Sequence, residues 1–553
     1  MTELIYSKYD NLFIPYQQNL SDFILKGHNP NIKNGINHSI RAFVDDLTGE
    51  TISHTQLRKE VNLLASGLVN NLRLKRNDVI AIFSPNHINY ATIFLAACSV
   101  GIIVTTINPA YTETEVLHQI KDSNAKIMFT IEDQIGVLKK VNQKLNQSIQ
   151  LINMDKRETK ELVNFESIFS KSFCESLKFQ NEEECKEQIA LIAYSSGTTG
   201  KPKGVMTSHF NEIANIMQNE VALDEFKSMG RVVLGLLPFF HCYGIQILLL
   251  TAIHSFETVI VIKKFELKKL LQSIQTHKIT SLFLAPPVIL ALAKDPIVDN
   301  YDLTSVEFIF SGAAPLPIEV SNLAGTRFKC HMFQGYGMTE ASPCVSVVTL
   351  STGSNESVGS LVPNMAAKIV SLETGKTLPI GEIGELWVKG PNIMIGYLNN
   401  PEATKAMFDS NGFMRTGDVG YFDKQYRLYI VDRAKELIKY RGFQVAPAEL
   451  EALLLAQPQV TDCCVIGVPN DEAGEVPKAF IVLKPSLTDP GNPISYDALI
   501  EQIKIKVHHD LAYYKHLRGG IKIVDHIPKS PSGKILRRLI RDKELSKINK
   551  SKL

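Results

Sequence analysis

Between Val79 and Phe310 short β-branched runs alternate with amphipathic stretches, and few folds accommodate that alternation. Residues 79–83, 102–106, 126–130, 189–194, 232–236, 258–262, 281–284 and 306–310 read as strands, and 90–99, 114–123, 267–276 and 288–293 as helices. A strand that returns parallel to its predecessor needs a crossover, so the pattern predicts parallel sheets with helices on both faces. Upstream, 41–45 and 51–53 read as a hairpin around Thr48-Gly49, with a helix over 55–71. Beyond Gly353 the texture changes: pieces at 366–370, 384–389 and 428–431 among Gly and Pro turns predict a smaller β subdomain or barrel. From Arg433 helices over 447–455 and 496–508 and strands over 462–466, 479–483 and 521–524 predict a compact α+β unit.

A chain of 553 residues exceeds what one core supports. Its 59 basic residues nearly balance 57 acidic ones, so nothing global calls for nucleic acid, and the basic segment 534–553 reads as a solvated helix face. Eight cysteines without a C-x-x-C pair suit a reducing compartment. Two apolar runs, 91–107 and 232–253, are broken by Gly101 and by Pro238, His241 and Gly244; they read as buried helix and strand, not as membrane spans. No secretory signal opens the sequence. Ser551-Lys552-Leu553 reads as a peroxisomal address, which makes the peroxisome the expected location and its import receptor an expected partner.

One stretch carries chemistry. Ser195-Ser196-Gly197-Thr198-Thr199-Gly200-Lys201-Pro202-Lys203-Gly204 follows a strand-length apolar run. Its glycines let successive N–H groups turn toward one anion, while hydroxyls and ammonium groups add donors, so a phosphate chain is the natural ligand. The spacing is not that of a Walker A loop, and a plain surface loop is the alternative. In Gln334-Gly335-Tyr336-Gly337-Met338-Thr339-Glu340 a carboxylate ends a glycine-rich turn and could hold magnesium, or simply face solvent. Asp418, in Arg415-Thr416-Gly417-Asp418, could accept ribose hydroxyls or cap a turn. The charged stretch 432–447 sits at the proposed boundary, where it could be linker surface, and 528–534 ends in Lys534 on a Gly-tipped loop.

Taken in order, SSGTTGKPKGV, QGYGMTE, RTGD, VDRAKELIKYRGFQVAPAELE and PKSPSGKILRR resemble the adenylate-forming superfamily of acyl-CoA synthetases, peptide adenylation domains and luciferases, most closely 4-coumarate:CoA ligases and their peroxisomal relatives. The likeness runs from about Tyr6 to Arg538. It implies an α/β fold: a large N-terminal domain of two doubly wound sheets plus a β-barrel (1–432), and a small mobile α+β lid (433–553). It implies a two-step reaction in which ATP and a carboxylic acid give acyl-AMP and pyrophosphate, after which coenzyme A displaces AMP. The resemblance assigns Ser195, Ser196, Gly197, Thr198, Thr199 and Lys203 to the phosphates, Glu340 to Mg²⁺ with Thr339 alongside, and Ala313, Gln334 and Gly335 to adenine. Asp418 and Arg433 would hold ribose, and Lys534 the charge of adenylation. Lys435 matches the hinge whose rotation exchanges Lys534 for Lys439, Arg441, Gly442 and Gln444; Lys264 matches a lysine on coenzyme A. His241 and Tyr243 match the loop gating the acyl pocket.

Two departures matter: Trp387 stands where hydroxycinnamate ligases carry Cys, and Gly244-Ile245-Gln246-Ile247 is more apolar than a pocket for phenolic hydroxyls needs. The implied substrate is thus an aromatic or a medium- to long-chain acid. A luciferase-type oxygenase is the alternative, and His508-His509-Asp510 only faintly suggests an acyltransferase, because it falls on a helix without the usual downstream glycine.

Overall fold

A computed structural model describes residues 4–27, 40–145, 148–155, 161–195, 202–222, 231–353, 356–470, 472–484, 496–530 and 533–551. Among the described residues the larger unit holds an eight-stranded, a nine-stranded and a five-stranded sheet. In the first, Ile189–Ser195, Ile103–Ile107, Val79–Phe83, Ala125–Thr130 and Gln150–Asn153 pair in parallel. In the second, Arg41–Asp45, Thr258–Val261, Val232–Gly235, Ser281–Leu284, Phe308–Ser311 and His331–Gly337 do the same. Val79–Phe83 is buried along its whole length, as a strand covered on both faces must be. Ile80, Phe94, Val233 and Phe308 belong to one apolar core, so the two sheets share their interior.

The apolar run 91–107 is the buried helix Tyr90–Ser99 and the strand Ile103–Ile107. No described helix is long and apolar enough to cross a membrane. Ile5–Tyr6, Ala366–Val370, Gly384–Lys389, Met414–Phe422 and Leu428–Arg433 form an open five-stranded antiparallel sheet, a half-barrel where the sequence suggested a β subdomain or barrel. From Ile438 a fourth sheet begins, with its own core around Leu450, Val465, Ile481 and Ile503.

The sheets are mixed, not purely parallel. Lys203–Ser208 runs antiparallel to Ile189–Ser195 with Lys203 opposite Ser195, so the two described ends of the phosphate-loop candidate are strand partners. Its residues Ser196, Gly197, Thr198 and Thr199 lie outside the described residues, as do Lys552 and Leu553. Gln334 to Gly337, expected in a turn, instead end the strand His331–Gly337. A Cβ at Gly335 would stand 2.9 Å from both the Phe310 ring and the Ser346 carbonyl oxygen, so glycine here marks close approach and not a bend. Arg415 to Asp418 likewise lie in a strand, Met414–Phe422, with Gly417 at φ +73°.

Candidate active site

Three elements converge where the parallel strands end. The Lys203 ammonium lies 4.6 Å from the centre of the Tyr397 ring, a cation–π distance, and the Tyr397 hydroxyl donates to Glu340 Oε1 at 2.9 Å. Tyr397 therefore joins the base of the loop to the carboxylate. Glu340 is buried in the short turn Thr339–Ala341 that follows Met338, and Thr339 Oγ1 stands 3.5 Å from Cys242 Sγ. No sequence motif pointed to Tyr397; it reaches the site because Gly396–Tyr397 pairs with Lys203–Ser208.

His241 precedes the turn Cys242–Gly244, and its Nδ1 accepts the Tyr243 amide at 3.3 Å. The ring proton thus resides on Nε2. Burial, reinforced by the Lys534 charge, holds the imidazole down at about 3, so it is neutral. The chain then runs through π-helical turns over Ile245–Thr251, a rare geometry that recurs at functional sites. Tyr243 packs on Gly312, where an added Cβ would come 2.8 Å from the ring. Its hydroxyl and the Ser311 hydroxyl are buried with no protein partner. Beside them Ala313 holds φ +73°, a conformation costly for a residue with a Cβ.

On the barrel side the Tyr336 hydroxyl donates to Asp418 Oδ2 at 2.5 Å, and Arg433 Nε lies 3.4 Å from Asp418 Oδ1. Asp418 and Arg433 are cross-strand partners, which fixes their juxtaposition. Gln334 Nε2 donates to the Ser357 carbonyl at 3.0 Å.

Lys534 comes from the smaller unit into this cluster. Burial, then Arg433, lower its pKa, while Cys242, Asp418 and Glu340 act to raise it. The structure thus brings Lys534, Arg433, Asp418, Glu340 and His241 within electrostatic reach of one another. Other candidates lie elsewhere. Lys439 and Gln444 are register partners in an exposed hairpin whose turn, Arg441 (φ +47°) and Gly442 (φ +84°), has the two left-handed residues of a tight hairpin. Their neighbours belong to the smaller unit: the Lys439 amide donates to Glu475, and Arg441 pairs with Glu472. Lys435 is exposed in the turn between the units, and Lys264 is exposed past the strand Thr258–Val261.

A glutamate also escaped sequence reasoning. Glu212, pushed up to about 7 by burial, accepts from Thr207 Oγ1 at 2.6 Å beneath the hairpin.

Comparison with known proteins identifies the family. The AMP-binding enzyme family matches residues 37–398, and its C-terminal domain matches 449–534. The chain is 38% identical over 97% of both chains to a probable 4-coumarate–CoA ligase 1 of Dictyostelium discoideum. It is 37% identical over 91% of each to 4-coumarate–CoA ligase 2 of Petroselinum crispum. Among solved structures it superposes on ATP-bound MatB from Rhodopseudomonas palustris with TM-score 0.82 and 26% identity, covering 95% of this chain and 98% of that one. The chain belongs to the AMP-binding enzyme family, within the adenylate-forming superfamily and of 4-coumarate–CoA ligase-like type.

Proposed function

We propose that the protein is an ATP-dependent acid:CoA ligase, acting on a 4-coumarate-like aromatic acid or a medium- to long-chain fatty acid. The observation that carries this reading is that Lys534, from the smaller unit, comes within electrostatic reach of Asp418, Glu340 and His241 of the larger one. In the first step a carboxylate oxygen attacks the α-phosphorus of ATP, the bond to the β-phosphate breaks, and pyrophosphate leaves. In the second the thiol sulfur attacks the acyl carbon, AMP departs and the thiol proton is lost. Neither step needs a protein nucleophile, so positioning and charge neutralisation supply the catalysis.

In this reading the stretch 195–204 holds the β- and γ-phosphates, and Asp418 and Arg433, cross-strand partners, hold ribose. Gln334, Gly335 and Ala313 frame adenine. Lys534 neutralises the acyl and α-phosphate oxygens as a mobile point charge. Neutral His241, whose Nδ1 accepts the Tyr243 amide, keeps an Nε2–H to offer the acid. One buried carboxylate, Glu340, with Thr339 beside it, fits magnesium, which takes few protein ligands and completes its shell with water and phosphates. It would neutralise charge on the departing pyrophosphate. Tyr243 and Ser311 offer unpartnered hydroxyls to the acyl group, while Ile245 and Ile247 supply apolar wall.

Rotation of the smaller unit about Lys435 would bring Lys439, Arg441, Gly442 and Gln444 to the site for thioester formation, with Lys264 on coenzyme A. The reading is tested by replacing Lys439 with Ala: thioester formation from supplied acyl-AMP should fall while pyrophosphate exchange persists, and loss of exchange alone would contradict it. Peroxisomal import through Ser551-Lys552-Leu553 is a separate proposal. Deleting Leu553 should disperse punctate fluorescence of the tagged protein, and unchanged puncta would dismiss it.

A further inference from the structure

The helix Pro447–Leu455 of the smaller unit is gripped at both ends by groups of the larger one. At its start Asp432 Oδ2 accepts the Ala448 amide at 3.0 Å, and at its end Lys294 Nζ donates to the Leu455 carbonyl at 3.0 Å. Both are backbone groups that a helix end leaves without an intrahelical partner, and each gripping charge has the sign that the local helix dipole favours. Ala446, in the N-cap position, offers no side-chain hydrogen bond, so Asp432 supplies from outside what a capping residue ordinarily supplies locally.

The two gripping residues are set on different elements. Asp432 lies on the half-barrel strand Leu428–Arg433, and Lys294 closes the helix Pro286–Lys294. Loss of hydration, then the nearby Lys484, draw the Lys294 ammonium below its usual pKa, which places it against the smaller unit. The opening of the same helix meets that unit again. A Cβ on Gly533 would come 3.0 Å from Ala285 Cβ and 3.3 Å from Pro287 Cδ, and Gly533 directly precedes Lys534. By contrast, the Arg537–Glu451 pair and the Glu451 contact with the Val465 amide lie inside the smaller unit and move with it.

We infer that Asp432 and Lys294 form a two-point latch that holds the smaller unit in the orientation placing Lys534 at the site, and that releasing it precedes thioester formation. The inference rests on the ligase reading, in which the unit turns about Lys435. Neither residue touches the reacting atoms; both are positioning residues.

The test compares the full chain with Lys294→Met and Lys294→Arg in the two half-reactions. K294M should lower acid-dependent pyrophosphate exchange roughly three- to tenfold, the worth of one charge-assisted hydrogen bond at a helix end. It should leave thioester formation from supplied acyl-adenylate unchanged or faster, and K294R should restore exchange. Asp432→Asn should move both half-reactions in the same directions as K294M. Wild-type exchange in K294M, or equal loss in both half-reactions, overturns the latch. Absence of exchange with any acid in the unaltered enzyme would instead remove the ligase reading. Amide hydrogen exchange over 447–455 then still decides the latch: faster exchange in K294M than in K294R supports it, and equal rates reject it.

Discussion

Tyr336 donates a 2.5 Å hydrogen bond to Asp418, tying the strand that ends in the Gln334–Gly337 segment to the half-barrel strand that carries Arg433 opposite Asp418. The fold itself therefore holds the aspartate in place. Tyr336→Phe removes one charge-assisted bond, so the KM for ATP should rise about tenfold with kcat little changed, as steady-state kinetics would show. A kcat loss at constant KM would place Tyr336 in the chemistry instead.

Lys534→Ala should abolish adenylation and spare thioester formation from added acyl-AMP, because the ammonium enters a cluster containing Asp418 and Glu340. The two half-reactions measured separately report this. Equal loss in both would refute the division of labour.

Gly312→Ala would drive a methyl to 2.8 Å from the Tyr243 ring. Overpacking of this kind costs about 1–3 kcal/mol, and here the ring that must move belongs to the proposed acyl wall. The expected outcome is a raised KM for the acid with the KM for ATP unchanged. A general loss of thermal stability with normal acid KM would mean that Tyr243 does not face the substrate.

His241 is held at about 3 in the folded protein against 6.5 in an unfolded chain. Between those values the unfolded state binds the extra proton, so this site makes stability rise with pH across that window and fall on acidification. His54, at about 4, and His209, at about 3, act in the same direction. His241→Gln should therefore shallow, not abolish, the acid-side decline in denaturation midpoint, and an unchanged slope would mean that His241 is charged in the folded state.

Much of the fold was legible because its central strands are buried on both faces and so read as unbroken β-branched runs. Val79–Phe83, Tyr90–Ser99 and Ser281–Leu284 fall where the sequence places them. The helix His209–Ala222 did not announce itself, since its buried face carries Asn211, Glu212, Asn215, Gln218 and Asn219. Asn211, Asn215 and Gln218 donate to carbonyls far along the chain, at Pro391, Cys344 and Pro363, which no local periodicity reveals. Glycines misled in the other direction: Gly335 and Gly337 suggested a turn and instead serve close packing in a strand. Of the motif residues, the structure brings Lys534, Arg433, Asp418 and Glu340 together but sets Lys439 and Arg441 elsewhere, and Tyr397 joins the cluster only through a tertiary contact outside any motif.

The central claim is tested most directly by pyrophosphate exchange with purified protein, ATP, Mg²⁺ and a panel of cinnamates and C6 to C18 fatty acids, followed by detection of the CoA thioester. The account predicts acid-dependent exchange with at least one member and a matching thioester once coenzyme A is added. Exchange with none of them, or adenylate formation that never yields a thioester, would contradict it.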